Sequence, residues 1–172
     1  MNHSLEEKRL THYILSRTDF VQAKCLAAAI ERGTMESTLV IQMCEYLTTL
    51  YARPFMESRP FGRLEGNWKL FKTQEHQEMH IRLMDSRNRE SAHNDMANKH
   101  VFLVKQNMGP YLYSGIVEGP TLRLDRSELS VVVEMCTDLD NRLQAEIQSL
   151  IGTLYPNETR NTIQLLEPIS PL

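Results

Sequence analysis

Apolar residues recur at three- and four-residue spacing through most of this 172-residue chain, the signature of amphipathic helices. Ser4 followed by Glu7 is a capping-box start, and the stretch to Arg32 is rich in good helix formers. Gly33 is placed to stop that helix. Ser16–Thr18 is a candidate break, with Thr18 capping a second segment that buries Phe20, Val21, Cys25, Ala28 and Ala29. A second helix is predicted from about Met35 to Ala52. Its stripe is Leu39, Val40, Met43, Cys44, Leu47, Leu50 and Tyr51. Arg53-Pro54 ends it, because the residue before proline is driven out of the helical region. After a long connection over residues 53–72, Thr73 opens a third helix with Met79, Leu83 and Ser86 on its inner face.

The texture then changes. His100–Gln106 and Tyr111–Val117 are rich in strand formers and flank Asn107-Met108-Gly109-Pro110, a hairpin-turn pattern. A short strand over Thr121–Leu124 completes a predicted three-stranded insertion within residues 100–124. Asp125 with Glu128 caps a final helix of about Arg126–Ile151. Its seam of Leu129, Val132, Cys136, Leu139, Leu143, Ile147 and Leu150 is regular enough to pack on another helix or another subunit. The expected organisation is one mainly α domain over residues 1–152 and an extended or frayed tail over 153–172.

Composition narrows the function classes. No apolar run approaches the ~18–20 residues of a membrane helix, and the start MNHSLEEKR is polar, so the expectation is a soluble cytoplasmic chain without a membrane partner. Net charge is −3, which lacks the general basic footprint of nucleic-acid binders. The local exception is Arg53 to Lys72, where Arg53, Arg59, Arg63, Lys69 and Lys72 meet only Glu57 and Glu65. Phe55, Phe61, Trp68 and Phe71 are interleaved with them. Such aromatics stack on unpaired bases or, more commonly, pin a loop onto the core. Arg53, Arg59, Arg63 and Lys69 are therefore candidate nucleic-acid contacts. Cys25, Cys44 and Cys136 show no CxxC spacing and read as reduced core residues.

Glycine-rich phosphate cradles and the GxSxG elbow are absent from the sequence. His76 and His80 stand four apart, but without HExxH or a third ligand they read as helix histidines, so no metal site or cofactor is assigned. The segment with chemical character is Arg87-Asn88-Arg89-Glu90-Ser91-Ala92-His93-Asn94-Asp95. An arginine fork suits a phosphate, and a histidine moves protons near neutral pH. Arg87 and His93 lie six apart, about 240° around an ideal helix. They converge only if the helix ends or bends between them, or if a second subunit completes the site. Cations favourably placed at a helix C-terminus are the plainer reading of the same residues.

The string RNRESAHND resembles the motif of the HEPN domain family, in which an arginine precedes a histidine by four to six residues. Ala92-His93-x-Asp95 resembles the form found in relatives of abortive-infection systems, and Leu47 to Phe55 resembles the end of that subgroup's second helix. The resemblance implies a helical bundle that forms a homodimer with two motifs facing across a cleft. It further implies a metal-independent endoribonuclease of toxin or antiphage type that acts on RNA, with an antitoxin or defence-system partner. By position, Arg87 would hold the scissile phosphate, His93 would be the general acid and base, and Asn88 would bind or orient. Arg89 has no fixed role in the family, and Asp95 is a candidate to orient His93. The hairpin departs from the minimal helical domain. The competing expectation is a non-catalytic dimerisation or nucleic-acid-binding module of the same fold, with these residues in a structural polar knot; an unrelated helical protein is the remaining alternative.

Overall fold

The Ser4 hydroxyl accepts from the Glu7 amide at 3.2 Å while Glu7 Oε2 accepts from the Ser4 amide at 2.7 Å. This reciprocal cap starts α1 (Leu5–Arg32) where the sequence places it. The computed structural model describes residues 4–33, 37–58, 61–91, 100–105, 113–118 and 122–156. Its other helices are α2 (Ser37–Ala52), α3 (Gln74–Ser91) and α4 (Arg126–Leu154), with short 3-10 turns at Arg53–Phe55 and Gly66–Lys69 in the connection. Thr73 Oγ1 caps α3 by accepting from the His76 amide at 3.1 Å. Asp125 and Glu128 form a second reciprocal box at the start of α4, each bond 2.9 Å.

Three expectations about α1 change. The helix runs 28 residues without interruption, so Ser16–Thr18 is not a break. Thr18 turns its hydroxyl back to the Ile14 carbonyl at 3.0 Å, which satisfies it inside the helix. The buried face carries Phe20, Ala23 and Ala27, and Cys25 is exposed. Cys44 and Cys136 are buried as expected. Gly33 ends the helix with φ −81°, so the stop does not use the left-handed conformation that favours glycine.

α1 and α4 lie antiparallel, as their cross-links show in order. Arg9 lies 3.5 Å from Glu146, Arg17 and Lys24 share Asp140, and the Ser130 hydroxyl donates to Glu31 at 2.7 Å. The apolar seam of α4, from Leu129 through Ile147, is buried inside this chain. It packs on α1 and the rest of the core, which removes it as a dimer surface. Around it, Phe20, Tyr51 and Phe55 form a three-ring cluster with centroids 5.6–5.8 Å apart. Each large apolar side chain buried here contributes about 1.5–3 kcal/mol.

The connection over residues 53–72 is drawn onto the bundle by its aromatic residues. Phe55 and Leu64 are buried, and Trp68 and Phe71 pack against the core. The Leu64 amide donates to the Pro54 carbonyl at 2.8 Å, closing the segment on itself. Gly62, at φ +80°, takes a left-handed turn that opens it to pair with Ser58. Arg142 of α4 donates to the carbonyls of Asn67 and Leu70 and lies over the Trp68 ring, 5.0 Å from its centroid.

His100–Lys105 and Tyr113–Glu118 pair antiparallel along the backbone, with His100 opposite Glu118 and Lys105 opposite Tyr113. A three-stranded insertion is not seen among the described residues: Leu122 and Leu124, expected in the third strand, follow irregular chain and bury their side chains in the core. The predicted turn at 107–110 and the tail beyond residue 156 lie outside the described residues.

Candidate functional site

α3 places its chemistry by its own periodicity. His80 and Leu83 are buried, and Arg87, one turn beyond Leu83, continues the same stripe. Arg87 is half-buried there, whereas Asn88, a further 100° around the helix, is exposed. Arginine side chains at the edge of a core commonly bury the aliphatic stem and keep the charged head toward water. The C-terminal end of a helix also favours positive charge. Five residues before Arg87, Arg82 pairs with Glu128 and donates to the Arg123 carbonyl at 2.9 Å, so this end of α3 lies beside the start of α4. Arg89 is on α3 by its backbone. His93 and Asp95 lie outside the described residues, and so does any approach of His93 to Arg87.

The basic connection is less available than its sequence suggests. Arg53 Nη1 donates to Asp19 Oδ1 at 2.8 Å, joining the connection to α1. Burial of the Asp19 carboxyl raises its pKa, and the neighbouring arginine opposes that rise. Arg63 pairs with Glu65 and lies 3.9 Å from Glu57. Lys69 is half-buried, and Arg59 falls outside the described residues. Phe55, Trp68 and Phe71 pack on the core, and Arg53, Arg63 and Lys72 pair with carboxylates within the chain.

His76 and His80 go to different environments despite their metal-ligand spacing. His76 Nε2 lies 3.5 Å from Glu134 Oε2 on α4. His80 is 6% exposed, with Nδ1 2.8 Å from the Tyr51 hydroxyl and its ring edge-to-face with Phe55 and tilted against Phe71. Desolvation, with a smaller contribution from Lys69, lowers its pKa to about 4, so the ring is neutral at pH 7. Tyr51 is held protonated by burial and donates to Nδ1 when the ring proton sits on Nε2. Among the described residues, no three His, Cys, Asp or Glu side chains are grouped to hold a metal ion. No helix among them is long and apolar enough to cross a membrane.

A feature that sequence reasoning missed is an open cleft of about 500 Å³ between the first turns of α1 and the connection. Lys8 and His12, one turn apart, stand on its α1 side. That spacing is visible in the sequence, but its partner wall arrives from more than fifty residues away. Compared with known proteins, the chain matches no family model, no curated protein and no solved structure.

Proposed function

We propose that the chain is a HEPN-like helical bundle that cleaves RNA without a metal ion. The observation that supports this reading is the position of Arg87, on the inward stripe of α3 at the end of the helix, immediately followed by Asn88 and the segment leading to His93. In this reading Arg87 holds the scissile phosphate in a bidentate fork and stabilises the charge that grows on it. His93 removes the proton of the 2′-hydroxyl, whose oxygen attacks phosphorus. The bond from phosphorus to the 5′-oxygen breaks, and a protonated imidazole supplies the proton that oxygen needs. Asn88 orients the phosphate, and Asp95 holds the His93 ring. The products are a 2′,3′-cyclic phosphate and a free 5′-hydroxyl. A homodimer belongs to this proposal and uses a surface other than the α4 seam.

A second reading, a non-catalytic module of the same fold, is favoured by the pairing of Arg53 with Asp19 and Arg63 with Glu65 and by the net charge of −3. Weak phosphate attraction makes autonomous RNA binding weak. Incubating single-stranded RNA with wild type, His93→Ala and Arg87→Lys in the presence of EDTA separates the two. The enzyme reading expects cleavage by wild type, a loss of ~10²–10⁴-fold in His93→Ala, and a severe loss in Arg87→Lys because a point charge does not replace a fork. Absence of cleavage by folded wild type, with or without cell extract as a source of activator, selects the non-catalytic module.

A further inference from the structure

We propose that the cleft between α1 and the connection binds a small aromatic carboxylate. The site is separate from the α3 motif and does not rest on the ribonuclease reading. Arg9 at the cleft meets Glu146, whereas Arg82, just before the motif, meets Glu128. Those two α4 residues are 18 positions apart, about 27 Å along the helix at ~1.5 Å per residue. The cleft and the motif therefore occupy opposite ends of the bundle.

Three features of the cleft define the ligand. The first is an unanswered polar group in its wall. His12 is 8% exposed, and no hydrogen bond reaches its imidazole among the described residues. The His12 ring lines the open cleft without a partner from this chain among the described residues, so a ligand seated there can bond to it. Burial lowers the His12 pKa, which leaves a neutral ring with one donor and one acceptor nitrogen.

The second feature is charge. Lys8, Arg9 and Arg63 line the cleft, but two are already engaged. Arg9 donates to the Tyr13 hydroxyl at 2.8 Å and approaches Glu146, and Arg63 is paired with Glu65. Lys8 has no carboxylate partner among the described residues. One uncommitted ammonium suits one negative charge and is too little for a polyphosphate. The third feature is the apolar surface of Phe61, Trp68 and Leu5, the last 80% exposed at the rim. These surfaces accept a flat ring, and the volume falls within the ~300–1,000 Å³ of small-molecule sites.

Trp68 is the only tryptophan in the chain, so its emission reports on the cleft directly. Phenylacetate titrated into the full-length protein should change that emission saturably at roughly millimolar concentration, as expected for so small a ligand. Phenylacetamide, which lacks the charge, should bind up to about fivefold more weakly, and acetate, which lacks the ring, should also bind more weakly. Lys8→Glu should abolish the response. Its helix content should be unchanged, because an acid near a helix N-terminus is favourable, and circular dichroism checks this. Equal affinity for phenylacetamide or acetate overturns the proposal, as does an unaltered response in folded Lys8→Glu. Tighter binding of adenosine monophosphate than of phenylacetate overturns the assignment to a carboxylate.

Discussion

Lowering the pH from 7.5 to 5.0 should weaken the bundle through His80. Its ring sits among Tyr51, Phe55 and Phe71, and Lys69 is the nearby charge. Its pKa is about 4 in the folded protein against 6.5 for an unperturbed histidine. Between those values the unfolded chain binds a proton that the folded chain refuses, so stability rises with pH across this window. The contribution is complete above pH 6.5 and is lost as the pH falls toward 4. At pH 5.0 the loss is about 1–2 kcal/mol, allowing for the small part of the ring that still meets solvent. Urea unfolding at both pH values, followed by circular dichroism, measures the change for wild type and His80→Gln. Glutamine offers Tyr51 an acceptor but does not titrate. His12, also lowered by burial, acts in the same sense and is common to both proteins. Asp19, raised by burial, acts in the opposite sense and is likewise common to both proteins. Wild type should lose about 1–2 kcal/mol more than the variant on acidification. Equal losses would refute the assignment of the effect to His80.

The thiols should separate by burial: Cys25 reacts quickly with a thiol reagent in the native protein, whereas Cys44 and Cys136, the latter's pKa pushed up to about 12, react only on unfolding. Mass spectrometry of the labelled protein should show one fast adduct, and two or more would contradict the burial. Leu139→Ala, in the α4 seam, should cost about 2–5 kcal/mol in urea unfolding, because the side chain is wholly buried and leaves a cavity. A loss below 1 kcal/mol would mean that the α1–α4 interface is not the core. Asp125→Ala removes the α4 cap and should cost about 1 kcal/mol by the same assay.

The elements whose signals are local were legible in the sequence. The Ser4–Glu7 and Asp125–Glu128 boxes are three-residue patterns, and both helices start where those pairs place them. Pro54 likewise marks the end of α2 at Ala52. What the sequence misjudged depended on distant neighbours. Nothing within α1 reveals that Cys25 faces water while Ala23 and Ala27 meet other helices. The α4 seam, read as apolar and fit for another helix or another subunit, packs within the chain, and the sequence alone did not choose between the two. Thr121–Leu124 reads as a strand by composition, whereas Leu122 and Leu124 are used as core residues of irregular backbone. At the candidate site, the sequence places Met79, Leu83 and Ser86 on the inner face of α3, and the half-buried position of Arg87, one turn beyond Leu83, came from the structure. The pairing of Arg53 with Asp19 came from the structure too, because 34 residues separate them.

The most direct test of the ribonuclease proposal is the product end formed from a short RNA with one cleavable position, compared with the same RNA carrying a single 2′-deoxy substitution there. The account predicts a 2′,3′-cyclic phosphate from the first with wild type, none from the first with folded His93→Ala, and no cleavage of the second by either. Cleavage at the deoxy position, or equal cleavage by wild type and His93→Ala, contradicts attack by the 2′-hydroxyl under the control of this chain's histidine.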